Sequence, residues 1–145
     1  MDFDDIFSTF GISASGLAAE RLRMRVIANN LANASATRTP EGGPFRKDVV
    51  VFREALAREL AARGGADALR GVEVAAIVKS SEPFRMVYRP GHPDADKTTG
   101  MLKLPNVDPV TEMVDLITAS RAYQANLAVL KTFREMMLQT LRLGR

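Results

Sequence analysis

The stretch PNVDPVTEMVDLITASRAYQANLAVLKTFREMMLQTLRLGR, residues 105–145, decides the fold of this chain. Asp108 followed by Pro109 predicts a helix start, because a capping carboxylate accepts the first-turn amides and proline at the first helical position loses no available hydrogen bond. No glycine or proline then occurs before Gly144. About 35 helical residues at about 1.5 Å each make a rod of roughly 50 Å, longer than a small domain is wide. We therefore expect this helix to project.

A stripe of apolar residues follows this helix at a mean step of 3.5 residues. Its positions are Met113, Leu116, Ser120, Tyr123, Leu127, Leu130, Arg134, Met137 and Leu141. Seven of these nine residues are large and apolar, a pattern typical of a coiled-coil seam. Because an isolated helix is marginally stable in water, the stripe predicts a second helix packed against it.

The N-terminus, residues 2–33, repeats this design. The corresponding stripe is Phe3, Phe7, Phe10, Ala14, Leu17, Arg21, Met24, Ala28 and Leu31. Taken alone it fits an ordinary amphipathic helix packed on its own domain, but two such segments at opposite ends of one chain favour a coiled coil between them. Gly11 and Gly16 predict a break or kink, since glycine destabilises a helix interior by about 1 kcal/mol. Asn29, Asn30 and Asn33 predict that the helix stops near Asn33.

The middle of the chain reads as short strands around one short helix. We predict a loop over 39–44, a strand over 48–52, a helix over 53–63, a hairpin of strands 71–79 and 84–89 turning at 80–83, and a strand over 100–104. The predicted fold class is α+β, with long N- and C-terminal helices paired as a coiled coil and a small β-rich middle domain. The corresponding division is 1–33, 34–105 and 106–145.

Composition limits what the chain can do. Its 145 residues support one modest core, and the 20 basic and 17 acidic residues are spread along the chain without a basic block. We therefore expect no nucleic-acid partner. The acidic N-terminus and the lack of any run of 18 apolar residues predict neither a cleavable signal peptide nor direct membrane insertion.

Catalytic and metal-binding patterns are also missing from the sequence. There is no cysteine, and the one histidine, His92, lies between Gly91 and Pro93 with Asp94 and Asp96 nearby. A metal or a general base would need a second ligand or an orienting partner, whereas a turn accounts for this composition without function. No phosphate-binding glycine motif occurs. We expect no catalytic site, no metal and no cofactor.

Two long motifs resemble those of the bacterial flagellar rod, hook and hook-associated axial proteins. ASGLAAERLRMRVIANNLAN, residues 14–33, resembles their N-terminal signature, and ITASRAYQANLAVLKT, residues 117–132, resembles the C-terminal one. Within that family, TRTPEGGPFRK (37–47), VYRPGHPDAD (87–96), the run 100–126 and the LRLG ending look like those of proximal-rod members. The resemblance covers nearly the whole chain and is weakest over 53–70.

This resemblance implies a structural subunit of the flagellar basal-body rod, located in the periplasm and delivered through the flagellar type III export apparatus without a cleaved signal. Its partners would be other rod subunits and copies of itself, contacted through the terminal helices. The resemblance assigns subunit packing to Asn29, Asn30, Leu31, Asn33, Ser120, Tyr123, Gln124 and Asn126. We expect the apolar stripe of the C-terminal helix to take part in the same packing, through Met113, Leu116, Leu127, Leu130, Met137 and Leu141. The alternative is an adaptor or export chaperone that binds a partner helix transiently and stays in the cytoplasm.

Overall fold

The computed structural model describes residues 3–55 and 71–143, which form two long helices and four short strands. In chain order the elements are α1 (Phe3–Ala32), β1 (Asp48–Ala55), β2 (Gly71–Lys79), β3 (Arg85–Tyr88), β4 (Met101–Leu104) and α2 (Pro109–Leu143).

Helix α1 runs through both of its glycines. Its end at Ala32 confirms the predicted stop near Asn33, but the predicted break between Gly11 and Gly16 is absent. Packing explains this, because tertiary contacts override weak local propensity. Gly16 lies against Asn126 of α2, and the Ser15 hydroxyl accepts from the Val72 amide of β2 at 3.1 Å.

Helix α2 begins where the sequence predicts. The Asp108 carboxylate accepts hydrogen bonds from the Val110 amide at 3.3 Å and from the Thr111 hydroxyl at 2.7 Å. The Thr111 bond is the largest reason that the pKa of Asp108 lies below its usual value, because it favours the ionised carboxylate. The capping prediction for Asp108 and Pro109 is therefore confirmed.

The strands pair differently from the prediction. β2 is antiparallel to β1, with Asp48 opposite Lys79 and an irregularity between Val51 and Phe52, and β3 is antiparallel to β4. The predicted hairpin between 71–79 and 84–89 is thus wrong, although β2 has the predicted bounds. The pairing partner of a strand is set by distant segments, which a local pattern does not reveal.

The predicted helix over 53–63 is wrong at its start. Residues 53–55 continue β1, whose residue Arg53 pairs with Glu73 of β2. An ion pair joins these two side chains across the strands, a contact that stabilises a sheet pair. The rest of that prediction, residues 56–63, lies outside the described residues.

The core is shared between the helices and the middle of the chain. The buried apolar side chains are Ala19, Val26, Ile27, Phe45, Leu102, Val107 and Ala119. They come from all three predicted segments. Both strands of the β1–β2 sheet contact α1, and the two helices also contact each other. The α+β class is confirmed.

The face that α2 turns inward is displaced from the predicted stripe. Buried or half-buried side chains recur at Glu112, Leu116, Ala119, Tyr123, Asn126, Leu130, Phe133 and Met137. At Met113 and Arg134 the predicted residue is exposed and the preceding residue lies inward. Ser120 and Leu127 are half-buried, beside Ala119 and Asn126. Leu141 is exposed.

Candidate assembly interface

Asn30, in the last turn of α1, joins that helix to the start of β1. Its side chain is buried and bonds both backbone groups of Asp48: Nδ2 donates to the carbonyl at 2.9 Å, and Oδ1 accepts from the amide at 2.9 Å. The carboxamide therefore makes the two hydrogen bonds to Asp48 that a neighbouring strand would make at this edge of the sheet. Nδ2 also donates to Glu112 Oε2 of α2 at 3.1 Å.

Glu112, in the first turn of α2, contributes a buried carboxylate to these contacts. Its side chain is 1% exposed, and its Oε1 lies 2.6 Å from Lys47 Nζ. That oxygen has no well-aligned hydrogen-bond donor, so the contact with Lys47 is chiefly electrostatic. The carboxylate also lies in the first turn of α2, near the positive end of the helix dipole. We call Asn30, Lys47, Asp48 and Glu112 the polar cluster.

Asn106 holds the loop before α2 against the same part of the chain. Its Oδ1 accepts from the Lys47 amide at 2.8 Å, and its Nδ2 donates to the Glu82 carbonyl at 3.1 Å. Arg46 adds a bond to the Ser80 carbonyl at 2.7 Å and lies over the Phe84 ring. The residues that flank the polar cluster are therefore held in place by hydrogen bonds between side chains and backbone groups.

The contacts between the helices run antiparallel. The Phe10 and Phe133 ring centroids are 6.2 Å apart, near the end of the pair opposite the polar cluster. Between these ends, a Cβ added to Gly16 would lie 3.0 Å from Asn126 Nδ2. Glycine at this position permits the two backbones to approach closely.

A second set of contacts clamps the loop after α1. Asp94 accepts from the Thr37 hydroxyl at 2.9 Å and pairs with Arg38 at 2.6 Å. The Thr37 bond is the largest cause of the lowered pKa of Asp94, with Arg38 adding charge attraction. His92 lies in a turn, where its Nδ1 accepts from the Asp94 amide at 3.1 Å, as the turn interpretation predicts.

One side of α2 carries apolar side chains that the chain leaves exposed. Val110 is 64%, Met113 46%, Val114 58% and Ile117 54% exposed. Their spacing of three and four residues places them on one side of the helix. We call these four residues the outer face of α2. An apolar patch of this kind marks a contact surface more often than an accident of composition.

The structure places the predicted subunit-packing residues in three environments. Asn30 is buried; Leu31, Asn33, Leu116, Ser120, Tyr123, Asn126, Leu127, Leu130 and Met137 are half-buried; Asn29, Met113, Gln124 and Leu141 are exposed. Of the asparagine motif, Asn33 bonds back to Asn29, while Asn30 is engaged inside the chain. Their role in subunit packing stays a prediction.

Sequence reasoning missed the roles of Lys47, Asn106 and Glu112. No local pattern marks them, because their partners lie far along the chain: Glu112 is 82 residues from Asn30, and Asn106 is 59 from Lys47. A usable signal for Gly16 did exist. A glycine inside an otherwise helical pattern can indicate close packing as well as a break.

Within residues 3–55 and 71–143, no group of three or more His, Cys, Asp or Glu side chains is placed to hold a metal ion. Over the same residues, neither helix has a stretch apolar and long enough to cross a membrane.

Two long antiparallel helices, joined by buried polar contacts and bearing an uncovered apolar face, are the features of a structural protein built into a larger assembly. Family models match both ends of the chain: residues 10–38 match "Flagella basal body rod protein", and residues 98–143 match "Flagellar basal body rod FlgEFG protein C-terminal". The chain belongs to the FlgC family of flagellar basal-body rod proteins. This confirms the resemblance to axial proteins.

Several relatives named flagellar basal-body rod protein FlgC are similar over nearly their full length. The protein of Salmonella typhimurium strain LT2 is 46% identical, covering 96% of this chain and 98% of the relative. That of Borreliella burgdorferi is 42% identical over 94% and 95%. The Bacillus subtilis protein is 36% identical over 96% and 98%.

Proposed function

We propose that this chain, a structural subunit of the flagellar basal-body rod, joins its neighbours through its two terminal helices. The observation that carries the proposal is the outer face of α2. Its four large apolar side chains are about half exposed or more in the isolated chain. Burying such side chains contributes about 1.5–3 kcal/mol each, so contact with another subunit has a clear driving force.

The two helices pair as an antiparallel coiled coil in this proposal. Three pairs support it: Phe10 with Phe133, Gly16 with Asn126 and Asn30 with Glu112. From the first pair to the last, the residue number rises in α1 and falls in α2. The buried and half-buried side chains of α2 include a series from Glu112 to Met137 in alternating steps of four and three residues, the spacing of a heptad. Residues 1–33 and 106–145 then form the part that packs in the rod, and 34–105 the part outside it.

The partners proposed are other rod subunits and copies of this chain, in the periplasmic part of the basal body. Delivery through the flagellar type III export apparatus without a cleaved signal is proposed on the strength of the terminal motifs. A structural role needs no catalysis, and the names of the relatives describe a rod protein. The adaptor or chaperone alternative is not favoured, because the relatives reported above are all named as rod proteins.

Ile117→Asp tests the interface. The substitution removes an apolar contact and places a carboxylate on the outer face, so we expect incorporation into purified basal bodies to fall at least about tenfold, with motility lost. Ser81→Asp, which adds the same charge in an exposed turn of the middle segment, is the matched control. Immunoblots of whole cells and of basal bodies measure expression and incorporation separately. Normal incorporation of a stably expressed Ile117→Asp protein would contradict the proposal.

A further inference from the structure

Helix α2 carries two overlapping stripes of eight positions, each with six apolar residues, and the one that contains Glu112 faces α1. The stripe predicted from the sequence and the observed one share Leu116, Tyr123, Leu130 and Met137. At the alternate positions the observed stripe has Glu112, Ala119, Asn126 and Phe133, and the predicted stripe has the residue that follows each of them. A rotation of α2 by about 50°, half of the 100° step between residues, exchanges one stripe for the other.

Hydrophobic burial alone does not select the observed orientation. Met113 is 46% exposed, while Glu112, beside it, is 1% exposed. Removing a carboxylate from water is unfavourable unless charge partners and hydrogen bonds compensate it. Here Lys47 Nζ and Asn30 Nδ2 supply both kinds of contact, at 2.6 and 3.1 Å.

A rotation of α2 would break the contacts of the buried Glu112 carboxylate with Lys47 and Asn30. The Asn30 carboxamide, held by its two bonds to Asp48, would remain in place and lose its third partner. A buried donor without an acceptor costs roughly 1–3 kcal/mol. The charged groups facing Glu112 would also separate, leaving Lys47 without its carboxylate.

A second contact, 14 residues away on each helix, agrees with this orientation. Gly16 and Asn126 are separated from Asn30 and Glu112 by the same number of residues along α1 and α2. The missing side chain at Gly16 leaves room for Asn126, whose Nδ2 would lie 3.0 Å from an added Cβ. A polar residue at one inward position of paired helices is a known device for fixing their alignment.

We infer that Glu112, bound by Lys47 and Asn30, sets the rotational position of α2 on α1 and so keeps Met113 on the surface. The inference concerns the isolated chain. It holds or fails independently of the assembly proposed above.

Labelling of single cysteines tests it, because the natural chain has none. Met113→Cys reports the side that rotation would cover, and Ala122→Cys, at a half-buried position, reports the side that rotation would uncover. With Glu112 present we expect the first thiol to react faster with a maleimide. In Glu112→Ala, which removes the carboxylate without adding a large apolar side chain, we expect the ratio of the two rates to fall by roughly tenfold, as one site becomes protected and the other opens.

Asp115→Ala is the matched control. Asp115 lies less than one turn further along α2 and pairs with Arg23 at 3.9 Å, but its side chain is 40% exposed. The same change of a carboxylate to alanine should leave the ratio of rates unaltered. An unaltered ratio in folded Glu112→Ala, or an equal fall in Asp115→Ala, would overturn the inference.

Loss of folding in Glu112→Ala is covered by a second variant. Lys47→Met with Glu112→Ala removes both charges, and replacing a whole buried ion pair by apolar residues often preserves stability. Circular dichroism establishes whether this double variant is folded. A folded double variant with the changed ratio of rates supports the inference. A double variant that is unfolded, or folded with the original ratio, shows that the cluster stabilises the fold without selecting the orientation, and overturns it.

Discussion

At the scale of single residues, the carboxamide of Asn30 is matched to its surroundings in a way that a carboxylate of the same shape is not. It accepts from one backbone amide and donates to both a carbonyl and the Glu112 carboxylate. An aspartate can accept but, when ionised, cannot donate. The identity of this side chain is therefore fixed by hydrogen-bond direction and not by volume.

Asn30→Asp should destabilise the chain strongly. The change loses both donated hydrogen bonds and places a second carboxylate beside Glu112 in a buried site, where an uncompensated charge costs about 3–5 kcal/mol. Asn29→Asp is the control, because Asn29 is exposed and its Oδ1 only accepts, from Asn33 at 3.1 Å. It should change the free energy of unfolding by no more than about 0.5 kcal/mol. Urea unfolding of both variants measures the difference, and equal midpoints would contradict the assigned role.

At the scale of elements, the position of α2 against α1 depends on how closely their backbones approach at Gly16. A Cβ there would meet Asn126 at 3.0 Å, whereas one added at Gly11 would have nothing within 4 Å. The two glycines of α1 therefore have different reasons to be present. Gly16 serves packing, and the space around Gly11 is open.

Gly16→Leu should destabilise the chain by about 1–3 kcal/mol through overpacking. Gly11→Leu should be neutral or stabilising, since leucine favours a helix more than glycine does. Adding Asn126→Ala to Gly16→Leu should recover part of the loss, because it makes room for the new side chain. Thermal unfolding of the single and double variants gives the coupling between the two sites. Additive effects would indicate that residues 16 and 126 do not press on each other.

The elements also show which structural features can be predicted from residues close together in the sequence. The start of α2 at Pro109, the end of α1 at Ala32 and the bounds of β2 follow from caps, asparagines and β-branched runs, and all were predictable. The partner of β2 was not, because β1 and β3 fit the same local pattern. The inward face of α2 was predicted one residue out at Met113 and Arg134, which are exposed. Its register depends on Lys47 and Asn30, which a periodicity in α2 does not contain.

At the scale of the whole molecule, the terminal helices and the middle segment share one set of buried contacts. Phe45, Leu102 and Val107 are buried in the same chain as Ala19 and Ala119, and Glu112 binds groups from both α1 and the residues before β1. The polar cluster thus links the three predicted segments at one point. Separate unfolding of a middle domain would have to break it.

We expect the isolated protein to unfold in one cooperative transition. Far-UV circular dichroism follows the helices, and the two tyrosines, Tyr88 in β3 and Tyr123 in α2, report on a strand and a helix by fluorescence. Because the same buried contacts stabilise all three segments, the urea midpoints from the two probes should coincide. Helical signal lost well before the Tyr88 signal, measured in Tyr123→Phe, would show that the middle segment is stable by itself.

The contact between Asn30 and Glu112 has a consequence for how the chain is made. Its two residues are 82 positions apart, so α1 is synthesised long before the helix that covers it. At about 5–20 residues per second, roughly 4–15 s pass between the end of α1 and the start of α2. During that interval Val26 and Ile27, buried in the finished chain, have no α2 to pack against. The nascent protein therefore exposes the apolar side of α1 until α2 has been synthesised. During this period a chaperone that binds unfolded chains would find the largest apolar surface on it.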